Sequence, residues 1–239
     1  MNDTCIIIPA RYESHRLPGK PLVMLKGIPM VIRTALTCIE TIGKENTYIA
    51  TNDSRIEDTC IEYDVNCIRT SSSCLTGTDR VAEAYLKLGK GYKTIVNVQG
   101  DEPLVLKENI IKIIETHKAK GGIITGAAKI ENEQDFRSYN IVKFAISKET
   151  LIYASRAGIP SNKIGEFYEH FCHVPIYAFD EEELLLFYSR KTKSYLEQIE
   201  DVEILRSLEL GSKVNISYID RYYPAVDVKD DIKKVLKYL

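Results

Sequence analysis

No run of about 18 apolar residues occurs in the 239-residue sequence, so it holds no stretch that would span a bilayer as a helix. There is no CxxC pair among the six cysteines, Cys5, Cys38, Cys60, Cys67, Cys74 and Cys172, which removes the spacing used by zinc ribbons and dithiol redox centres. Most of them fall in or beside apolar runs, and reduced, buried thiols are expected. There is no basic block either: 32 Lys+Arg stand against 34 Asp+Glu for a formal net charge of -2. This balance gives no electrostatic reason to expect a nucleic acid or an anionic membrane as partner, and favours a small ligand. A Pro/Gly/Ser linker, an internal repeat and a low-complexity tract are all missing. The opening Met1-Asn2-Asp3-Thr4 runs into an apolar segment without a basic region, so no secretion signal is read and a cytoplasmic location is expected.

What is present is an alternation. Thr4 to Ile8, Thr47 to Ala50, Thr94 to Val98 and Gly122 to Ala128 are short, apolar, β-rich runs that predict strands buried on both faces. Between them Pro29 to Ile42, Ser54 to Tyr63, Thr78 to Leu88 and Glu108 to His117 carry apolar residues at helical spacing, with Pro29 suited to a first-turn position. This order predicts an α/β fold with a mostly parallel central sheet flanked by helices. Such sheets bind ligands at the carboxyl ends of their strands. Beyond residue 140 the regularity weakens: Ile141 to Ile146, Leu151 to Ala154, Cys172 to Phe179 and Lys213 to Ile219 predict strands, and Leu196 to Leu210 and Val228 to Tyr238 helices. A single domain over residues 1–239 with a smaller inserted sheet region is expected.

Two turns carry chemistry. The loop Pro9-Ala10-Arg11-Tyr12-Glu13-Ser14-His15-Arg16-Leu17-Pro18-Gly19-Lys20-Pro21 sets Arg11, Arg16 and Lys20 where a strand end opens a crevice, an arrangement that suits a polyphosphate. A solvated surface loop is the plain alternative. It is not a Walker A loop, because Ser14 replaces the first glycine and Pro21 the magnesium-binding Ser/Thr, and no GxGxxG points to a dinucleotide. The second turn is Asn97-Val98-Gln99-Gly100-Asp101-Glu102-Pro103, where Asp101 is placed to hold a hard cation beside a nucleotide and Gln99 offers both donor and acceptor. The plain alternative is an aspartate that shapes a turn. Asp227, in Pro224-Ala225-Val226-Asp227-Val228, reads by itself as an N-cap of the last helix. His170 and His173 form HxxH, but on a strand residues three apart face opposite sides, so no metal site is expected there.

In order, IPARYESHRLPGKPL, TGTDR, NVQGDEP, SRAGIP, HVPIY, LEQIEDVEILRSLELG and AVDVKDDI resemble the signatures of the CMP-Kdo synthetase (3-deoxy-manno-octulosonate cytidylyltransferase) family, over essentially the whole chain. The resemblance implies a nucleotide-diphospho-sugar transferase, Rossmann-like fold and magnesium-dependent transfer of CMP from CTP to the anomeric hydroxyl of the acidic keto-sugar Kdo, for lipopolysaccharide or capsule synthesis. It also implies a homodimer, with residues 140–225 contributing sugar-binding and dimerisation elements. Arg11, Ser14, Arg16 and Lys20 match the family's nucleotide loop, with backbone near Ala10 reading the base, and Arg80 and Gln99 join the nucleotide side. Asp101 and Asp227 match its pair of magnesium (Mg2+) carboxylates. Gln99, Arg156, His173, Tyr177, Glu200 and Glu203 match positions on the sugar side. Arg206 lies three residues after Glu203 on the same predicted helix, so the plain alternative for Glu203 is an i,i+3 ion pair.

Glu13 and His15 stand where the family has small residues, SRAGIPSNK lacks the aromatic and basic residues that follow IP, and Ile204 stands where glutamine is common. These departures bear on the sugar, so another acidic keto-sugar, of Kdo-analogue or sialic-acid type, is the alternative within enzymes. A non-catalytic nucleotide or sugar binding module is the alternative outside them. For the transfer itself, Arg16, Lys20, Asp101 and Asp227 are the residues expected to act on the phosphates, by positioning and charge stabilisation rather than by a side-chain nucleophile.

Overall fold

The computed structural model describes residues 3–13, 16–223, 225–226 and 228–239. β1 (Thr4–Ala10) is buried along its whole length, as a central strand with helices on both faces must be. Its alternate residues serve two cores: Ile6 and Ile8 join one apolar cluster, Cys5 and Ile7 the other. A small hairpin, β2 (Met24–Leu25) and β3 (Ile28–Pro29), leads into α1 (Met30–Ile42). Pro29 precedes the helix as its cap rather than opening its first turn; its missing N–H is harmless in either place.

The chain continues through β4 (Thr47–Thr51), α2 (Ser54–Glu62), β5 (Cys67–Arg69), α3 (Gly77–Leu88), β6 (Thr94–Val98), α4 (Lys107–Lys120) and β7 (Ile123–Lys129). After α5 (Glu133–Arg137) come the hairpin β8 (Lys143–Ser147) and β9 (Thr150–Ser155), then β10 (Phe171–Phe179). α6 (Glu181–Ser189), α7 (Tyr195–Glu200), α8 (Ile204–Glu209), β11 (Val214–Ile219) and α9 (Lys229–Val235) complete it. One nine-stranded sheet runs in the order β5-β4-β1-β6-β10-β7-β11-β9-β8. β5, β4, β1 and β6 are mutually parallel, and β11 is parallel to β7. β10 enters between β6 and β7 antiparallel to both, so the sheet is mixed. β10 follows a hairpin rather than a crossover helix, and an antiparallel slot needs no crossover. The inserted sheet region is the β8–β9 hairpin, which continues the main sheet at its edge through β11.

The helix expected over Leu196 to Leu210 is two helices. Asp201 takes a left-handed backbone, φ 51°, and breaks it between α7 and α8. β5 and α5 are too short to show a period, and the apolar residues of α6 are contiguous rather than spaced. All six cysteines are free thiols. Among the described residues no helix is long and apolar enough to cross a membrane.

Candidate active site

A cavity of about 400 Å³ opens where the carboxyl ends of β1 and β6 meet the first turn of α3, within the range of small-ligand sites. Ala10, Arg11, Arg16, Lys20, Arg80, Gln99, Asp101 and Glu203 line it, so most of the expected nucleotide-side residues converge. Ser14 and Asp227 lie outside the described residues.

Two glycines make the convergence sterically possible. Gly19 adopts φ 69°, and a Cβ there would sit 3.0 Å from the Tyr12 hydroxyl; its N–H donates to Tyr12 O at 3.1 Å and closes the loop. The Arg55 guanidinium lies 3.2 Å from the Tyr12 ring centroid, and Asp53 accepts from its Nε at 2.8 Å and its Nη2 at 2.6 Å. The loop is thus pinned from outside while Arg11, Arg16 and Lys20 face in. A Cβ on Gly100 would come within 2.8 Å of Pro9 O, so the β6 turn packs directly on the end of β1. This brings Lys20 Nζ to 2.6 Å from Asp101 Oδ2. The Asp101 carbonyl also accepts from Val226 N at 3.1 Å, which anchors the segment next to Asp227 beside the same turn.

Arg80 is buried, donating to Thr70 Oγ1 and, at 3.3 Å, to Ser71 O. Burial works against its charge, which Cys74 and Glu83 favour and nearby Arg11 opposes. Gln99 Nε2 donates to Glu203 Oε1 at 2.8 Å, and Thr78 N donates to Glu203 Oε2 at 3.0 Å. Burial pushes the Glu203 carboxyl up, opposed by its bonds to Thr78. Tyr177, buried opposite Asn97 on β6, has its hydroxyl pushed well up by burial and by the negative field of Glu203.

Arg156, His173, Tyr177 and Glu200 are not among the residues lining the cavity; Arg156 reaches its lining through Asp201 O, and Tyr177 lies in the field of Glu203. Glu200 accepts from Ser155 Oγ at 2.7 Å, Arg156 N at 2.8 Å and Tyr153 OH at 3.2 Å. The Arg156 guanidinium donates to three backbone carbonyls, Glu200 O at 2.7 Å, Tyr139 O at 3.1 Å and Asp201 O at 3.2 Å. The fully buried Lys143 ammonium holds Ser138 O, Ile141 O and the Arg156 carbonyl. His173 stacks on Phe144 and meets Tyr177 at a tilt, and its Nε2 is buried without a hydrogen-bond partner. Burial, with Arg156 nearby, pushes its imidazole down to about 3, so it is neutral at physiological pH. His170, just ahead of β10, stacks on Phe136 instead.

Arg206 does not pair with Glu203. It is fully buried and makes two-pronged bonds to Asp79 (2.8 and 3.2 Å) and to Glu197 (2.6 and 2.8 Å). Glu203 caps α8 and its carboxylate is taken by Gln99 and Thr78, while Arg206 points from α8 into the core between Asp79 and Glu197. Lys193, Glu197 and Asp201 also line the cavity and were passed over in the sequence, because they surround a short helix whose orientation no local pattern reveals. Asp201 is bonded by Lys193 at 2.8 Å, and Lys193, then Arg156 and Arg16, hold its carboxyl below the usual range against its desolvation.

With this geometry in place, the comparisons are specific. Residues 5–215 match the model of the cytidylyltransferase family. The chain is 36% identical over 234 residues to the mitochondrial 3-deoxy-manno-octulosonate cytidylyltransferase of Arabidopsis thaliana, covering 96% of this chain and 80% of that one. It is 34% identical over 238 residues to the 8-amino-3,8-dideoxy-manno-octulosonate cytidylyltransferase of Shewanella piezotolerans, covering 98% and 96%. The solved structure of a CMP:2-keto-3-deoxy-manno-octonic acid synthetase complexed with CTP superposes with a TM-score of 0.88 at 28% identity, covering 98% of this chain and 97% of that one. The chain therefore belongs to the cytidylyltransferase family, among its 3-deoxy-manno-octulosonate members.

Proposed function

We propose that this protein transfers CMP from CTP to the anomeric hydroxyl of 3-deoxy-manno-octulosonate, releasing pyrophosphate and making CMP-Kdo. The observation that carries this reading is the convergence of Arg11, Arg16, Lys20 and Arg80 with Asp101 and Gln99 around one cavity at the ends of β1 and β6. Cations gathered there neutralise a triphosphate, and the 2.6 Å contact of Lys20 with Asp101 puts a mobile ammonium where a phosphate oxygen would take it over. The hydroxyl oxygen attacks the α-phosphorus, the bond to the bridging oxygen breaks, pyrophosphate leaves with that electron pair, and the hydroxyl proton is released. Arg16 and Lys20 stabilise the leaving group, and no side chain becomes covalently attached. Gln99, held by Glu203, orients the sugar, and Arg156 takes its carboxylate by giving up backbone carbonyls; His173 and Tyr177 shape the wall behind.

Magnesium fits this site. Asp101 supplies a hard oxygen donor of the type magnesium takes, and a cation already lies on that oxygen. Asp101 and Asp227 would hold the ion, which supplies charge neutralisation at the α-phosphate. A homodimer is part of the same reading: Tyr139, Ile152, Ile164 and Tyr168 are large apolar side chains exposed within residues 139–168, a surface a second copy would cover. A cytoplasmic location agrees with it. Sedimentation velocity should show twice the 27.2 kDa chain mass.

The test is pyrophosphate release from CTP with Mg2+ and a panel of acidic keto-sugars including Kdo, its 8-amino analogue and a sialic acid. Release with Kdo and CTP, and little with ATP or GTP, supports the reading; a donor at the base edge separates CTP from UTP. Equal use of ATP or GTP overturns the cytidylyl assignment, and preference for another sugar overturns the acceptor.

A further inference from the structure

Arg206 is the largest fully buried side chain in the protein, and its charge lies between two carboxylates, Asp79 and Glu197. Neither carboxylate is an isolated core acid. Asp79 sits in the first turn of α3 and closes its capping box by accepting from Thr76 N at 2.9 Å. Glu197 sits in the first turn of α7 and closes the equivalent box by accepting from Ser194 N at 2.8 Å. Thr76 and Gly77 at the start of α3, and Lys193 and Asp201 flanking α7, all line the cavity. One guanidinium thus grips the first turns of both helices that wall the cavity, and Phe187 of α6 lies flat against it, 4.0 Å from its central carbon. Glu203, just ahead of α8, meets Thr78 N from the cavity side.

We propose that Arg206 is a positioning residue that fixes the sugar wall of the cleft against the nucleotide wall, so that the bound sugar hydroxyl is held in register with the α-phosphate of CTP. The two walls do not depend on it equally. α3 spans twelve residues packed on the sheet, and Thr76 keeps its cap without help. α7 spans six residues and is followed directly by the left-handed Asp201, whose carbonyl, with that of Glu200, holds Arg156. Loss of the grip on Glu197 should therefore shift Arg156 and Asp201 and leave the nucleotide side in place.

This inference rests on the functional reading above, and the test separates the two. Full-length Arg206→Lys, Glu197→Gln and the double variant are compared with the wild type. Lysine keeps the charge but cannot engage two carboxylates in two-pronged fashion. CTP affinity is read by calorimetry without sugar, the sugar KM and kcat by pyrophosphate release, and folding by thermal melting. In Arg206→Lys, kcat/KM for the sugar should fall roughly tenfold while the Kd for CTP stays within about threefold. Both single changes cut the same link, so the double variant should be no worse than the worse single. A variant that melts lower yet keeps the sugar KM and kcat per folded molecule would make Arg206 a stabilising ion pair only and overturn the proposal. Equal loss for both substrates, or losses that multiply in the double variant, would overturn it too. Should Arg206→Lys not fold, Glu197→Gln decides by the same criteria. A wild type that binds CTP but turns over no acidic sugar would instead strike the functional reading.

Discussion

The two walls of the cleft are built by different means. On the nucleotide side, backbone meets backbone: the β6 turn lies on the end of β1 because Gly100 has no Cβ, and the first loop folds on Tyr12 because Gly19 is left-handed. The cations there come from the loop after β1, which carries Arg11, Arg16 and Lys20, and from the first turn of α3, which carries Arg80. On the side proposed for the sugar, the charged groups are held by backbone and by one another. Arg156 spends its donors on three carbonyls, and Glu200 its oxygens on Ser155, Tyr153 and Arg156 N. Both sides exchange internal bonds for a ligand's, Lys20 its contact with Asp101 and Arg156 its three carbonyls, and the larger exchange at Arg156 makes the proposed sugar capture the more sensitive to small displacements.

Breaking the nucleotide side should give the largest effects. Asp101→Asn removes the charge that Lys20 now meets and that a metal would use, and kcat should fall at least about 100-fold, with the melting temperature nearly unchanged. Residual activity close to wild type at limiting Mg2+ would remove Asp101 from the site. Lys20→Ala comes next: a drop in kcat on the order of 100-fold with a raised KM for CTP is expected, read by initial rates of pyrophosphate release.

Glu203→Gln sharpens the boundary between the walls. It keeps the shape but weakens the bonds from Gln99 Nε2 and Thr78 N, so about tenfold should be lost in kcat/KM for the sugar, in line with about 1.5 kcal/mol for a bond to a charged group. The smallest effect concerns pH. Burial holds His173 neutral in the fold, with its pKa pushed from 6.5 down to about 3, whereas the unfolded chain takes up a proton below pH 6.5. Its contribution to stability is full above pH 6.5 and is lost as pH falls towards 3. His173→Phe, which can still stack on Phe144 and Tyr177, should flatten the decline of Tm between pH 6.5 and 4. An unchanged slope would show that His173 is not held neutral.

The contrast between the walls also explains what could be read from the chain. The first loop and the turn at Gln99-Gly100-Asp101 are contiguous, and each follows a strand with an unmistakable apolar run, so both their residues and their place at the strand ends were legible. The insertion of β10 between β6 and β7 was not, because pairing partners far apart in sequence leave no mark on local periodicity. The Arg206 pairing was hidden for the same reason. Glu203 stands at i,i+3, but its carboxylate is taken by Gln99 and Thr78, and the true partners lie 127 and 9 residues away. Whole-chain resemblance assigns Arg156, His173 and Glu200 to the sugar side, yet only the fold shows that they are not among the residues lining the cavity and that Arg156 and Glu200 are satisfied by one another and by their neighbours.

The most direct test of the two-wall account is crossed kinetics of Lys20→Ala and Arg156→Ala, with CTP and the acidic sugar varied in turn. The account predicts that Lys20→Ala raises the KM for CTP and lowers kcat with little change in the sugar KM, and that Arg156→Ala raises the sugar KM and leaves that for CTP near wild type. An Arg156→Ala enzyme with a raised KM for CTP and an unchanged KM for the sugar would contradict it.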